Sequence, residues 1–438
     1  MRTLLLLPAI SFSVQNVVAQ EELAWPPTLP GGKAFATDTS DEFLKPPESL
    51  AGVAVAKTPP RIDFYYYPGQ DYPGKPWSNW GDGSVSGTRY FSAIGDHRAP
   101  QGNGLVYVYD SETQELRQLA STAKTIVLPE GHYTPGKIHS RVDLGSDGWL
   151  YYSTHRGSTR VTTDEYHYKG DWILRTHPDT AKTEIVAHGP VPKACIPTSV
   201  LDPKRLIFYG GTAAGDRNDK TVKFFAYDLK KKAVLHTAVP GARRYLIFAR
   251  STGCTYFMDE VNNRLMKYDP ASSRPPQKID GVLGLRAATE ELPGGVVYTV
   301  GQKDDRVFRF NTKTEKIDEL GPFTVGSQSY VATLDADPTG HYLYYIPGAH
   351  GSSYRDGTAV VQFDTKTRTR KVIAFLHPFY EKKYGFVPIG TYGSAVSPDG
   401  SKLFVTWNGC RGGMVRRKYP FNTCAMTVIH IPESERLP

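Results

Sequence analysis

The sequence predicts an all-β protein, a seven-bladed β-propeller of four-stranded antiparallel blades closed by an N-terminal strand. The first observation is a repeat. Six times an aromatic or polar residue meets a short turn and then a charged strand, at intervals of roughly 40 to 70 residues, as repeated supersecondary units do. The copies occupy residues 109–113, 177–180, 227–230, 268–270, 310–314 and 363–367, led by Tyr109, His177, Tyr227, Tyr268, Phe310 and Phe363. The second observation is composition: 27 Tyr and 12% aromatic residues suit half-buried strands, while 41 Gly and 33 Pro supply turns. The third is that neither heptads nor long 3.6-residue periodicity occurs, so helices should be few.

Each repeat marks the hairpin between the outer strands, C and D, of a blade, which fixes the remaining elements. In blade one, strand B is expected at 89–96 and strand C at 105–109. Blade two starts at Lys137, turns at 145–148, and has strand B at 149–154 and strand C at 172–176 after a polar insertion at 157–170. Blade three begins near Pro197, with strand B at 206–209. Blades four to seven begin near Tyr245, Leu285, Ser329 and Tyr392. Their A–B turns at 251–253, 293–295, 337–340 and 397–400 carry Gly, Pro, Asp or Ser, as tight hairpins require. An open ring would leave raw strand edges. The alternating segment 62–67 is therefore expected to become the outer strand of blade seven, beside the C-terminal strand at 425–431.

Residues 1–19 read as a signal peptide: Arg2, an apolar run from Leu4 to Phe12, then Val17, Val18 and Ala19. Residues 20–58, rich in proline, are expected to wrap the outside as an irregular arm, and 59–438 to form the propeller. Export, to the medium or a periplasm, is the predicted destination. No later stretch approaches the length of an apolar membrane span. Loss of residues 1–19 lowers the formal charge of +8 by one. A basic exported protein suits an acidic polysaccharide as partner. Nucleic acid is excluded because no Lys/Arg-rich stripe or nucleic-acid motif occurs. A monomer is expected. Cys410 and Cys424 flank one hairpin loop, where a disulfide is expected, while Cys195 and Cys254 should be buried and free. No Cys pair has zinc-finger spacing, so no cofactor is expected beyond a structural metal ion.

Topology sorts the candidate site. In an up-and-down blade, D–A connections and B–C loops share one rim, while A–B and C–D turns share the other. His97, His155 and Arg156 follow B strands on the first rim, and His139 starts strand A of blade two. Arg244 leads into blade four, and Tyr330 and Tyr392 hold comparable positions in blades six and seven. Tyr209 is expected to end strand B of blade three. Arg141 lies two residues beyond His139 and shares its strand face; stitching neighbouring blades is its other reading. A basic cleft of neutral histidines, tyrosines and arginines suits abstraction of a proton α to a uronate carboxylate. That chemistry needs a base near neutrality and a cation for the developing enolate charge. Paired carboxylates do not stand out on this rim, which argues against an ordinary glycosidase.

Residues 94–97, 102–110, 135–140 and 148–155 resemble secreted seven-bladed ulvan lyases, especially polysaccharide lyase family 25. The resemblance implies β-elimination at uronic acid residues of ulvan. It implies His139 and His155 as the histidine pair, one moving a proton and one neutralising the carboxylate, and Tyr209 as the tyrosine counterpart. The supporting arginine is Arg141, Arg244 or Arg250. The expected function is thus a secreted lyase of a uronate-containing, ulvan-like polysaccharide, with catalytic His139, His155 and Tyr209. Arg141, Arg156, His97, Arg244, Tyr330 and Tyr392 are expected to bind substrate. A non-catalytic propeller that binds glycans or a protein is the alternative.

Overall fold

The computed structural model describes residues 23–96, 101–158, 160–216, 218–259, 261–272, 274–302, 305–413, 415 and 420–436. The predicted signal peptide and His97 lie outside them. Seven antiparallel sheets follow one another around a ring, and each is a blade. Among the described residues no helix is long and apolar enough to cross a membrane.

The repeated hairpin has one local cause. The side-chain oxygens of Asp110, Asp228, Asn311 and Asp364 each accept a hydrogen bond from the backbone N–H two residues on, at 2.8–3.0 Å. Four residues after each of them, Gln114, Lys232, Glu315 and Arg368 adopt positive φ. This Asx turn with a left-handed residue reverses the chain without a glycine. Strands B and C are buried along most of their length, as in Leu150–His155 and Phe224–Asp228, because each blade is sandwiched between two others. Outer strands such as Ala233–Ala238 are mostly exposed.

The ring closes as the alternation at 62–67 predicted. Arg61–Tyr66 pairs with the C-terminal strand Thr423–His430 in continuous register, from Arg61 opposite His430 to Tyr66 opposite Ala425. Phe64 fixes that strand, its ring stacking 5.0 Å from Tyr380 and 5.3 Å from Tyr384. The arm is less irregular than expected. Ala36–Asp38 adds a fifth strand outside the closing strand, and Ala56 N–H bonds to Val372 O at 2.9 Å.

Two expectations need correcting. Strand B of blade three spans Ile207–Ala214, so it continues through Gly210 and Gly211 rather than stopping at Tyr209. Tyr209 is therefore near its start, on the rim away from the mouth. The expected disulfide is also absent. Cys410 packs with Val387, Ile389 and Phe421, whereas Cys424 packs with Met426 and Val428 in another cluster, and both thiols are free.

Candidate active site

The inner strands of blades one and two are split, and this brings side chains into the channel. In blade one the ladder breaks between Trp77–Ser78 and Ser84–Ser86. In blade two it breaks between Lys137–Ile138 and Asp143–Leu144. The intervening residues bulge toward the axis and touch one another. A Cβ on Gly81 would lie 2.3 Å from Ser140 O, so only glycine lets the two bulges meet. Asn79 then locks blade one to blade seven. Its backbone N–H donates to Asn408 Oδ1 at 2.6 Å, and its Oδ1 accepts from Tyr392 N–H at 3.0 Å. Trp80 is thereby held 4.8 Å from Tyr392, ring to ring.

Around Trp80 the mouth assembles. The His139 ring stacks on it at 6.1 Å, and His155 meets His139 edge-on at 5.2 Å. The two histidines predicted as a pair do converge, because Lys137 and His155 are cross-strand partners. Tyr392 Oη lies 3.1 Å from the His350 ring nitrogens, and Tyr330 stacks on His350 at 4.9 Å. Arg286 Nε donates to Tyr330 Oη at 2.7 Å, and its guanidinium sits 5.3 Å from the Tyr392 ring. Lys137 Nζ lies 4.7 Å from the Trp80 ring. Tyr392, Arg286 and His155 are nearly inaccessible, whereas His350 is open to solvent.

The charges tune these groups. Burial, and then Lys137, Arg286 and Arg244, holds the His139 imidazolium well below its ordinary value, so the ring is neutral. His350 is brought down to about 4 by desolvation of its ring and by Arg286, Arg244 and Lys137. Burial and the neighbouring Tyr330 keep Tyr392 protonated, with Arg286 and Arg244 partly offsetting them. The mouth therefore offers the neutral His139 imidazole, a phenol and a cluster of cationic side chains.

Of the residues predicted to share this mouth, His139, His155, Arg244, Tyr330 and Tyr392 lie at it. Arg244, His139, Arg286, Trp80 and Tyr392 line a small cavity of about 30 Å³ at its floor, enough for about one water. Tyr209 does not join them. It is buried between blades three and four, with rings of Phe224, Phe248 and Tyr268 at 6.0–6.2 Å. Arg141 lines the same small cavity as His139 and is ion-paired with Glu290 and, at 2.8 Å, with Asp143. Arg250 lies at the far end, 2.6 Å from Glu290. Arg156 points to blade three, where its Nη1 lies 2.9 Å from Cys195 Sγ and 3.1 Å from Ala214 O. The insertion at 157–170 is anchored between blades two and three through Thr162, whose hydroxyl donates to Gly215 O at 2.8 Å.

Trp80, Lys137, Asp82 and Asp335 were not singled out in the sequence. The two acids close the channel below the mouth. Thr333 Oγ1 lies 3.0 Å from Asp82 Oδ1 and 2.9 Å from Ser394 Oγ, and Ser394 donates to Asp335. Tyr245 Oη lies 3.1 Å from Asp82 Oδ2. Burial raises both carboxyls, and the Asp82 charge raises Asp335 further, so the pair titrates with apparent values of about 6 and about 8. Outward from the mouth, a groove of about 590 Å³ runs between blades four and five, lined by Arg243, Arg286, Val261 and Val282. Behind His155 lie Asp171 and Cys195, and these three form the one group of three convergent metal-ligand side chains among the described residues.

No protein-family model matches the chain, and no curated protein matches it. Solved structures do match. An oligogalacturonate lyase from Vibrio parahaemolyticus superposes with a TM-score of 0.52 at 12% identity, over 92% of this chain and 99% of that one. An oligogalacturonate lyase in complex with manganese gives 0.51 at 13% identity, over 92% and 98%. At such identities the likeness establishes the seven-bladed propeller, end to end, that this chain shares with them.

Proposed function

We propose that this protein is a polysaccharide lyase that cleaves a uronate-containing polysaccharide by β-elimination. The observation that carries the reading is the meeting of neutral His139, buried Tyr392 and the cations Arg286, Arg244 and Lys137 at one mouth. The likeness to two oligogalacturonate lyases supports the substrate class.

Each group has a task. The cations face the uronate carboxylate and stabilise the negative charge that develops on it as the α-carbon loses its proton. His139, neutral and backed by His155, accepts that proton. The electron pair forms the new carbon–carbon double bond as the bond from the β-carbon to the glycosidic oxygen breaks. Tyr392 donates its proton to the departing oxygen and recovers one through His350 at 3.1 Å. An anionic substrate offsets the cations that depress His139, so binding itself makes the base stronger. The groove holding Arg243 and Arg286 has room for neighbouring residues of the polymer. The basic charge of +8 suits a sulfated, ulvan-like substrate met outside the cell.

Incubation with a set of acidic polysaccharides tests this, read as ultraviolet absorbance of the unsaturated uronyl product. On the polymer that responds, Tyr392→Phe should lower kcat by about 10² to 10⁴, as loss of a general acid does, with binding retained. Absorbance on no uronate polymer refutes the lyase reading. Binding without product would establish the alternative, a non-catalytic glycan-binding propeller.

A further inference from the structure

Two strands and a connecting loop deliver an imidazole, a carboxyl and a thiol to one point. His155 ends strand B of blade two, Asp171 directly precedes strand C at Trp172–Thr176, and Cys195 lies in the inner strand of blade three, Ala194–Asp202. One ligand atom from each lies within 4.8 Å of the other two, and all three residues are buried. Asp171 is fixed by the backbone, its N–H donating to Ala194 O at 3.0 Å.

The surroundings are those of a metal's outer shell. Asp171 Oδ1 accepts from Tyr133 Oη at 2.9 Å and from Thr154 Oγ1 at 2.7 Å. Tyr168 Oη lies 3.1 Å from Asp171 Oδ2 and 3.2 Å from Cys195 Sγ, closing the fourth side. Arg156 Nη1 lies 2.9 Å from that sulfur. Such second-sphere donors orient ligating carboxylates and tune their metal. Tyr168 also lines a surface cleft of about 850 Å³ with Lys193 and Thr162, which offers an ion a path from solvent.

We infer that His155, Asp171 and Cys195 form a zinc-binding site between blades two and three. Thiolate, imidazole and carboxylate together match zinc in softness, and one of each sign-bearing ligand neutralises a dication. Loading releases the Cys195 thiol proton, and any carboxyl proton of Asp171, to solvent as the metal–ligand bonds form. The site needs no lyase activity. If that reading holds, the metal makes His155 a positioning residue that presents its edge to His139, 5.2 Å away.

Cobalt replaces zinc with a visible signature, so the test is optical. Full-length protein stripped with a chelator and titrated with Co²⁺ should take up one equivalent. It should develop the near-ultraviolet charge-transfer band of a cobalt–thiolate bond. Cys195→Ser should lose that band, and Asp171→Asn should weaken binding at least about tenfold. Zinc should displace cobalt and raise the melting temperature, and a chelator should reverse both. Absence of the thiolate band in the stripped wild-type protein after titration with Co²⁺ overturns the inference, whether or not the variants fold. So does persistence of the band in Cys195→Ser.

Discussion

Replacing Asp335 with asparagine should flatten the dependence of stability on pH through the neutral range. Asp335 is raised by burial first and by the Asp82 charge second, while its bond from Ser394 and the nearby Arg141 pull the other way. The pair with Asp82 titrates near 6 and 8, against 3.8 for an ordinary aspartate. A raised folded-state value means that the native protein keeps a proton the unfolded chain has released. The associated stabilisation is complete below about pH 4 and is lost as pH climbs through 6 and then 8. One excess proton is worth about 1.4 kcal/mol per pH unit, so the wild type should lose up to about 3 kcal/mol between pH 6 and 8 from this pair. At about 2.1 cal/mol/K per residue the accompanying fall in melting temperature is only about 3 °C for a chain this long. Urea unfolding at fixed temperature is therefore the better assay. Asp335→Asn keeps a polar partner for Ser394 but cannot ionise, and it relieves Asp82 of its neighbour's charge. Histidines that are buried neutral push stability the opposite way in both proteins, so the difference between the two profiles isolates the pair. Identical slopes in wild type and variant would refute the protonated-pair assignment.

Three further outcomes follow from the structure. Arg286→Gln removes one of the cations that depress His350, alongside Arg244 and Lys137, so the His350 proton resonances should titrate at a higher pH than in the wild type. On a responding polysaccharide, the same variant should lose about 10- to 100-fold in kcat/KM, the worth of one charge-assisted hydrogen bond. Phe64→Ala empties a fully buried site in the closing strand, and should destabilise the fold by about 3–5 kcal/mol in denaturant unfolding.

Much of the ring was legible because its signals are local. The Asx turns at Asp110, Asp228, Asn311 and Asp364 are written in consecutive residues, and the closing strand announces itself by alternation. The pairing of His139 with His155 followed from one hairpin. Tyr209 was misplaced because Gly210 and Gly211 read as the end of a strand, whereas both sit in the ladder opposite Phe225 and Phe224. Trp80 and Asp82 were missed because they occupy a break in strand A that no periodicity marks. Asp335 looked like an ordinary strand residue, since its neighbour Asp82 comes from blade one, far away in sequence. The same holds for His155, Asp171 and Cys195: spacings of this kind match no ligand motif, because the fold rather than the chain brings them together.

The pairing of Arg61–Tyr66 with Thr423–His430 also governs how the molecule is made. During synthesis the first strand of the propeller must wait for almost the whole chain to emerge before its partner exists. Until then blade seven is incomplete and the nascent ring presents an unsatisfied margin. Closing so long a loop costs only logarithmically in entropy, but it comes last and slowly. Residues near Phe64 thus act as the latch of the assembly. A chain shortened from either end would expose a templating edge, and would pair with other copies rather than with itself.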